Sequence, residues 1–443
     1  MRPSLVDFYT TRWPSQLFAF SGMYLITWAG IGMNMYYAIL NGGPVAYLFN
    51  YLIVLTGVLA QAACIAELAS IVPSPGRSTW LGYIATLASA INNGVINLEA
   101  AVSINWPNIE WLGWHTTLLC LCSLAFCLVI NLWFFPIVPW LELVVGIFNV
   151  CFFFIYLVAL WVLSPRNSAD FIMTRTNFSR WDNSYISWNV GMLTQIWMFI
   201  GLECVIHMGE ETKNARRSVP QAMFWSIAAN GALGLIMVFT YILTLQLRIC
   251  MPPIEDLITA YNPFIYLITV STGSKVVATV MATGLVTILI GSNMSHRVPM
   301  RAVLFTCLIV AFMALLNIGS STYVAFGALT SLSSLSLYFS YAIIFSISLH
   351  TRLTCGLAAG EWSIGRWGVY VNAFALVYTL YTMIWLPFPT TVPVTAGTMN
   401  YCGPVFLTVM IGALTAWIFW GSKHWPGPNQ GVVEIVLRNS GVK

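Results

Sequence analysis

Apolar residues occur along this chain in long runs, separated by short segments rich in Gly, Pro and charged residues. Each run is close to the roughly 20 residues that an α-helix needs to cross the apolar core of a bilayer. Because the runs lack amphipathic spacing, they predict helices surrounded by lipid. We predict twelve spans over the approximate ranges 16–40, 45–69, 80–105, 115–134, 140–163, 188–209, 223–247, 275–293, 301–318, 323–349, 367–386 and 402–420.

The predicted fold is all-α, a polytopic membrane protein with about twelve transmembrane helices. We expect a short N-terminal segment over 1–15, a single transmembrane domain over 16–420 and a C-terminal tail over 421–443. The first apolar run is too long for the apolar region of a cleavable signal peptide, and it lacks a small-residue cleavage site. We therefore expect it to be the first membrane span.

Composition agrees with this class, since 59% of the 443 residues are hydrophobic and only 7% are charged. A soluble domain has roughly 25% charged residues and needs them to cover its surface. The formal net charge of +4 does not indicate nucleic-acid binding, and the ten cysteines fit no disulfide or metal pattern. No nucleophile elbow or phosphate loop is present. We expect neither an enzyme nor a cofactor.

The distribution of Lys and Arg predicts the orientation. With the N-terminus in the cytosol, thirteen of the eighteen lie in predicted inner segments and five in outer ones, which follows the rule that inner loops are basic. The longest hydrophilic loop, 164–187, then faces outside and carries an Asn177-Phe178-Ser179 sequon. Two readings stay open: Asn177 carries a glycan, or it stays unmodified because it lies close to the membrane.

Two predicted spans contain glycine-rich interruptions at comparable places. They open two groups of five spans, about 16–163 and 188–349, and leave two peripheral helices over 367–420. An odd number of spans per group inverts the second group relative to the first, and interrupted helices in inverted halves indicate a substrate site near the midplane of a secondary transporter. The alternative is that the glycines only allow close helix packing. The candidate substrate-binding residues are Thr27, Trp28, Ala29, Gly30, Ile31 and Gly32 in span one, and Phe199, Ile200, Gly201, Leu202 and Glu203 in span six.

Glu203 is an acidic residue inside a predicted span, where an ionised carboxylate costs several kcal/mol unless it is paired or hydrated. It can attract a substrate cation, or take up a proton and couple the transport cycle. His207 lies four residues on, on the same face of an α-helix, and is a candidate partner or relay. The alternative is a neutral Glu203 that is hydrogen-bonded to His207 or to a hydroxyl. Trp28 and Phe199 flank the interruptions and suit ammonium groups through cation–π attraction.

Other polar residues inside the spans are more often helix-to-helix hydrogen-bonding groups than ligands. Span three contains Asn92, Asn93, Asn97 and Glu99. Glu67 lies at the cytosolic end of span two, where it can reach water or a loop cation.

Residues 201–223 read GLECVIHMGEETKNARRSVPQAM. This stretch resembles the span-six motif of the fungal choline, GABA and amino-acid permeases of the amino acid–polyamine–organocation superfamily. Members read G-x-[ED]-x-x-x-H-x-x-E-E, followed by K-N-A-x-x-x-V-P-x-A-M. Further similar stretches, the last two fitting the choline permeases best, lie at 41–44, 66–70, 316–321, 365–372, 388–395 and 399–401.

The resemblance implies a leucine-transporter-like fold with ten core helices and two peripheral ones. It also implies proton-driven uptake of a small nitrogenous solute (choline, GABA or an amino acid) at the plasma membrane, with the two interrupted segments around the substrate. A basic and acidic loop follows span six at its cytosolic end, where it is a structural or gating element. Its residues are Glu210, Glu211, Lys213, Arg216 and Arg217.

The chain departs from the family pattern in two cytosolic connections. After span two, members have a Gly-Gly-x-Tyr-x-Trp segment and a helix, where 75–80 here leads almost directly into span three. Between spans eight and nine they have a longer segment rich in Arg and Asp, where this chain has only 291–299. Both pieces help to close the inner side, so a non-transporting nutrient sensor or a degenerate paralogue is the alternative function.

Overall fold

A computed structural model describes residues 26–71, 80–134, 138–212, 214–245, 262–292, 300–319, 322–358 and 360–424. The described chain is predominantly α-helical, which confirms the all-α prediction. The predicted N-terminal segment and almost all of the tail lie outside these residues. So do 75–79 and 293–299 of the two shortened connections.

The structure contains sixteen α-helices in the described residues. In chain order they are α1 Thr27–Met33, α2 Tyr36–Ile71, α3 Trp80–Asn105, α4 Gly113–Trp133, α5 Val138–Leu163, α6 Ser184–Val190, α7 Leu193–Trp197, α8 Ala215–Thr244, α9 Pro263–Thr272, α10 Lys275–Ser292, α11 Met300–Ala314, α12 Leu316–Gly319, α13 Thr322–Thr354, α14 Gly368–Trp385, α15 Cys402–Ala416 and α16 Ser422–His424.

Each of the twelve predicted ranges contains helical residues. Seven helical stretches of the described chain are long and apolar enough, as single units, to cross a membrane: Tyr36–Ile71, Gly113–Trp133, Leu143–Leu163, Ala215–Thr244, Tyr323–Thr354, Gly365–Trp385 and Cys402–His424. The other predicted spans correspond to helices that are shorter, interrupted or richer in polar residues. The inverted repeat stays a prediction.

The turn between the first two spans occurs inside α2, at Gly43. Its φ of 73° and ψ of −164° are non-helical, and a left-handed φ favours glycine because other residues clash there. A Cβ at Gly43 would also lie 2.6 Å from the Thr176 hydroxyl. The residues before Gly43 therefore complete the first span, and those from Pro44 onward form the second.

Helix α9 was not predicted from the sequence. Its ten residues are too few for a span, and they lie between spans seven and eight in a segment that we had read only as a connection. Asn262 caps the helix by accepting from the backbone N–H groups of Phe264 and Ile265, and Pro263 occupies the first turn. The Asn-Pro pair is a usual start for a helix, so a sequence indication was present.

Burial separates an inner group of helices from an outer one. Helix α1 is buried on every residue and packs against α8, while α3 packs against α10 and α13. Large exposed apolar side chains lie instead on the outer helices, for example Phe154 on α5, Val377 on α14 and Ile411 on α15. In a membrane such side chains face the lipid. The interrupted segments therefore lie at the centre of the helix bundle.

Candidate functional site

The first interruption lies beside the predicted run, not within it. All six residues of that run, Thr27 to Gly32, belong to α1, so the expectation that they are unwound was wrong. The backbone departs from the helix just before them, at Ile26 with φ 33°, and just after them, between α1 and α2. There the Asn34 side chain donates to the Gly30 carbonyl at 2.9 Å, because asparagine competes for backbone hydrogen bonds.

The two glycines of α1 allow close approach of other side chains. A Cβ at Gly30 would lie 2.1 Å from the Met198 sulfur, and one at Gly32 would lie 2.7 Å from the rings of Phe264 and Tyr241. A Cβ at either position would force these neighbours to move, and the flexible Met198 side chain can move more easily than the two buried rings. Close packing, the alternative that the sequence left open, thus accounts for the glycines of α1, and it brings the first span against the sixth.

The interruption in span six is where the sequence predicted it. Helix α7 ends at Trp197, residues 198–203 form turns, and a 3₁₀-helix covers Cys204–Glu211. Gly201 lies in the middle with φ 81°, in the left-handed region. All five predicted residues, Phe199 to Glu203, therefore lie in non-helical backbone.

Polar contacts join the two interruptions. The Thr27 hydroxyl donates to the Met198 carbonyl at 3.5 Å, and the Thr194 hydroxyl donates to the Asn34 carbonyl at 2.9 Å. Because both acceptors are main-chain carbonyls near a break, each interrupted segment helps to satisfy the backbone of the other. This is how irregular backbone is tolerated at membrane depth.

Glu203 lies at the end of the span-six interruption and is only 7% exposed. Its Oε1 accepts a hydrogen bond from the Tyr83 hydroxyl of α3 at 2.9 Å, and its Oε2 accepts one from the Tyr341 hydroxyl of α13. Both carboxylate oxygens thus have donors, as a buried polar group requires. The carboxylate links three separate parts of the bundle.

His207 does not share a face with Glu203, contrary to expectation. The backbone after Glu203 is a 3₁₀-helix with three residues per turn, so positions four apart point in different directions. His207 is exposed, and its ring lies edge-on to the Tyr83 ring with centroids 5.5 Å apart. Tyr83 therefore contacts both Glu203 and His207, a link that the sequence did not indicate.

The two flanking aromatic residues are buried among other rings. Trp28 donates from its Nε1 to the Asn149 side chain at 2.8 Å and packs edge-on against Phe153 and Tyr156 of α5. Phe199 packs against Tyr51 with centroids 5.9 Å apart. Trp28 therefore anchors α1 to α5.

A family profile described as amino acid permease matches residues 75–296, about half of the chain. The chain belongs to the amino acid permease family. Amino-acid permease 2 of Neurospora crassa is 26% identical, with 94% of this chain and 86% of that protein covered. The choline transporter of Saccharomyces cerevisiae is 22% identical, with 90% of this chain and 79% of that protein covered.

Among solved structures, a mutant manganese transporter of Eremococcus coleocola aligns over 96% of both chains, with 13% identity and a TM-score of 0.48. The family and the apolar helices make this permease a multi-pass membrane transporter and not an enzyme. The resemblance that we drew from residues 201–223 is thereby confirmed.

At the predicted cytosolic side of the permease, Glu67 forms an ion pair with Arg352 at the end of α13. Glu67 also accepts from the Ser363 hydroxyl at 2.9 Å and from the Ile364 backbone N–H at 3.2 Å. The sequence predicted water or a loop cation as the partner of Glu67. The partner Arg352 does lie beyond predicted span ten, which ended at 349, but the structure places it in the last turn of α13. The pair joins spans two and ten to the connection that follows.

The loop predicted as a gate is described only in part. Lys213 and the side chains of Glu210 and Glu211 lie outside the described residues. Arg217 is exposed, and Arg216 donates to the Ile71 carbonyl at 3.0 Å. Arg216 thus ties the start of α8 to the end of α2, and a gating role of the loop stays a prediction.

Two of the asparagines singled out in span three bond to other parts of the bundle, as helix-joining residues do. Asn92 donates to the Asn317 side chain at 3.2 Å, and Asn262 donates to Asn97 at 3.3 Å.

At the sequon, the Asn177 amide nitrogen donates to the Trp181 carbonyl at 2.8 Å. A glycan would replace one of the two hydrogens of this nitrogen, so the bond to Trp181 leaves both alternatives for the sequon open.

Proposed function

We propose that this permease is a proton-coupled transporter that takes up a small nitrogenous solute across the plasma membrane. Choline, GABA or an amino acid is the substrate class, in line with the amino-acid permease and the choline transporter named among its relatives. Transport would proceed by alternating access, in which one group of helices rocks against another around a midplane site.

The observation that carries this proposal is the contact between the two interrupted spans, with a buried carboxylate next to it. Gly30 lies against Met198, and Glu203 ends the same non-helical segment as Met198. A solute with an ammonium group would find backbone carbonyls, aromatic rings and one carboxylate here. The proposed contact residues are Thr27, Trp28, Ala29, Gly30, Ile31, Gly32, Phe199, Ile200, Gly201, Leu202 and Glu203.

Substrate entry would require a change at this contact. The Met198 side chain fills the space beside Gly30, so it would swing away to admit a solute. The ammonium group would then compete with the Tyr83 and Tyr341 hydroxyls for Glu203. Because Tyr83 lies on α3 and Tyr341 on α13, substrate binding would weaken the links between these helices and the sixth span.

Glu203 and His207 are the proposed coupling pair on the cytosolic side. His207 is exposed and contacts Tyr83, which bonds Glu203. Histidine exchanges protons near neutral pH, so a proton could pass between the carboxylate and the inner water through this group of three. In this structure the Tyr83 hydroxyl donates its hydrogen to Glu203. That hydroxyl would therefore have to rotate before a proton could pass.

The test is the variant Glu203→Gln, which keeps the shape and removes the charge. We expect it to abolish uptake while the protein still reaches the cell surface, with Glu110→Gln in an exposed segment as the matched control. Unchanged uptake with normal pH dependence would refute the role of Glu203. Binding of a labelled solute by the wild-type protein without its accumulation would instead favour the nutrient sensor, which the two shortened cytosolic connections motivate.

A further inference from the structure

Glu99 is a second carboxyl group in the bundle interior, and neither the substrate site nor the ion pair at the cytosolic side uses it. It lies on α3 and is 0% exposed. Its Oε1 accepts a hydrogen bond from the Thr116 hydroxyl of α4 at 2.9 Å. Its Oε2 is buried and has no hydrogen-bond partner among the described residues.

The three buried carboxyl groups of the described chain differ in their hydrogen-bond donors. Glu67 accepts from Arg352, Ser363 and Ile364, and Glu203 accepts from two tyrosine hydroxyls. Glu99 accepts through its side chain from one hydroxyl only. As an anion it would leave a bare charged oxygen in the apolar interior, which costs several kcal/mol. The neutral acid avoids that cost, so this environment suits a carboxyl group that carries a proton.

With the orientation predicted from Lys and Arg, Glu99 lies towards the outer side of the membrane. It lies six residues before the outer end of α3 at Asn105, whereas Tyr83, the partner of Glu203, lies near the inner end. Sixteen residues of α-helix separate Tyr83 from Glu99, which is about 24 Å at 1.5 Å per residue. One helix thus connects an outer carboxyl group with the inner one.

The surroundings of Glu99 connect it to the interrupted first span. Helix α3, which carries Glu99, packs against α13, which carries Tyr323, and against α4, which carries Cys120. Tyr323 in turn accepts from the Tyr37 hydroxyl through its carbonyl and packs against the Tyr36 ring at 5.4 Å. The helices packed against α3 also carry groups nearer their outer ends: His115 lies in the first turn of α4, Lys275 begins α10 and Tyr266 lies on α9.

We propose that Glu99 takes up the transported proton from the outer side. A proton from outer water converts the carboxylate to the acid while the contact between Tyr323 and the first turn of α2 is open. Closure of that contact buries the neutral acid as seen here, and the proton returns to water when the bundle opens inward. This proposal rests on the proposed proton coupling and assigns its outer step to a residue distinct from Glu203.

The experiment compares two modes of transport in cells that express wild-type protein or Glu99→Gln. Net accumulation depends on the proton, whereas exchange of a preloaded solute for labelled solute can proceed with a permanently neutral residue. One coupled proton multiplies the attainable accumulation by about tenfold per unit of pH difference. We expect the Glu99→Gln variant to exchange solute at the wild-type rate. We also expect it to lose the increase in accumulation that acidic medium causes in the wild type.

A second variant covers the case in which Glu99→Gln fails to reach the surface. Thr116→Val removes the one donor to Glu99 and leaves the carboxyl group in place, so we expect half-maximal acid stimulation of uptake to move towards neutral pH. Asn92→Ala, which removes the bond from the same helix to Asn317, is the control and should leave the pH profile unchanged.

Each result decides the proposal. The proposal would be overturned if Glu99→Gln still showed acid-stimulated accumulation at the wild-type level. It would also be overturned if the variant reached the surface but lost both exchange and accumulation, because that result indicates a merely structural role. A Thr116→Val profile identical to that of the wild type would also count against it. If the wild-type protein accumulated solute without any dependence on pH, the proposed proton coupling itself would be overturned. The wild-type measurement thus distinguishes a failure of proton coupling from a failure of the role proposed for Glu99.

Discussion

The two tyrosine hydroxyls on Glu203 give a prediction with a definite magnitude. Tyr83→Phe and Tyr341→Phe each remove one donor and leave one carboxylate oxygen bare in a group that is 7% exposed. A hydrogen bond to a charged group contributes about 1.5–3 kcal/mol, against about 0.5–1.5 kcal/mol for a neutral one. Each substitution should therefore destabilise the protein about twice as much when residue 203 is Glu as when it is Gln.

The assay is thermal unfolding of purified protein in detergent, for each Tyr→Phe variant with Glu203 and again with Glu203→Gln. We expect the loss in melting temperature caused by Tyr83→Phe or Tyr341→Phe to fall by about half in the Gln background, because both bonds are then between neutral groups. One tyrosine hydroxyl would donate to the amide oxygen of the introduced Gln side chain, and the other would accept from its amide nitrogen. Tyr156→Phe is the matched control, since its hydroxyl donates to the Met281 carbonyl at 2.7 Å. Its effect should be the same in both backgrounds.

Equal losses in both backgrounds for Tyr83→Phe and Tyr341→Phe would refute the reasoning. Such a result would mean either that Glu203 is a neutral acid, the alternative that the sequence left open, or that the hydroxyls do not bond it. The proposed competition between tyrosine hydroxyls and a substrate ammonium group at Glu203 would then have no basis.

Two further predictions concern the cytosolic ion pair and the contact between the interrupted spans. Arg352→Gln leaves the Glu67 carboxylate, in a side chain that is 6% exposed, without its cation, so we expect a loss of about 3 kcal/mol in stability by thermal or denaturant unfolding. The double variant Arg352→Gln with Glu67→Gln should recover part of the lost stability. A double variant no more stable than Arg352→Gln alone would contradict the pairing. Gly30→Ala places a Cβ 2.1 Å from the Met198 sulfur and should abolish uptake. Adding Met198→Ala should restore uptake, and a double variant as inactive as the single one would show that this clash is not the cause.

The sequence predicted the seven membrane-length helices because each is a long apolar run. It predicted the turn at Gly43 because glycine next to proline interrupts a helix, and the span-six interruption because Gly201 precedes an acidic residue inside an apolar run. These features depend on neighbours in the chain. They can therefore be read without knowledge of the packing.

The interruption of the first span could not be placed correctly by the same argument. Gly30 and Gly32 resemble helix breakers in sequence, but their role is to admit Met198, Phe264 and Tyr241, which come from distant parts of the chain. The break is at Asn34, whose side chain bonds the Gly30 carbonyl. An asparagine in an apolar run was the indication that the sequence offered.

Partners that are far apart in the chain were beyond sequence reasoning. Glu67 and Arg352 are 285 positions apart, and Glu203 and Tyr341 are 138 apart. The His207 expectation failed for a local reason: an i, i+4 rule assumes an α-helix, and the backbone there is 3₁₀. The sequence did not indicate that the backbone after Glu203 is a 3₁₀-helix and not an α-helix.

The central claim is that this permease accumulates a small nitrogenous solute at the expense of a proton gradient. The most direct test is uptake of labelled choline, GABA and a mixed amino-acid panel by cells that lack their own permeases, at acidic and neutral external pH. Surface expression is measured in parallel. We predict accumulation of one solute class that is stronger at acidic pH. Protein at the surface with no accumulation of any of these solutes at either pH would contradict the claim.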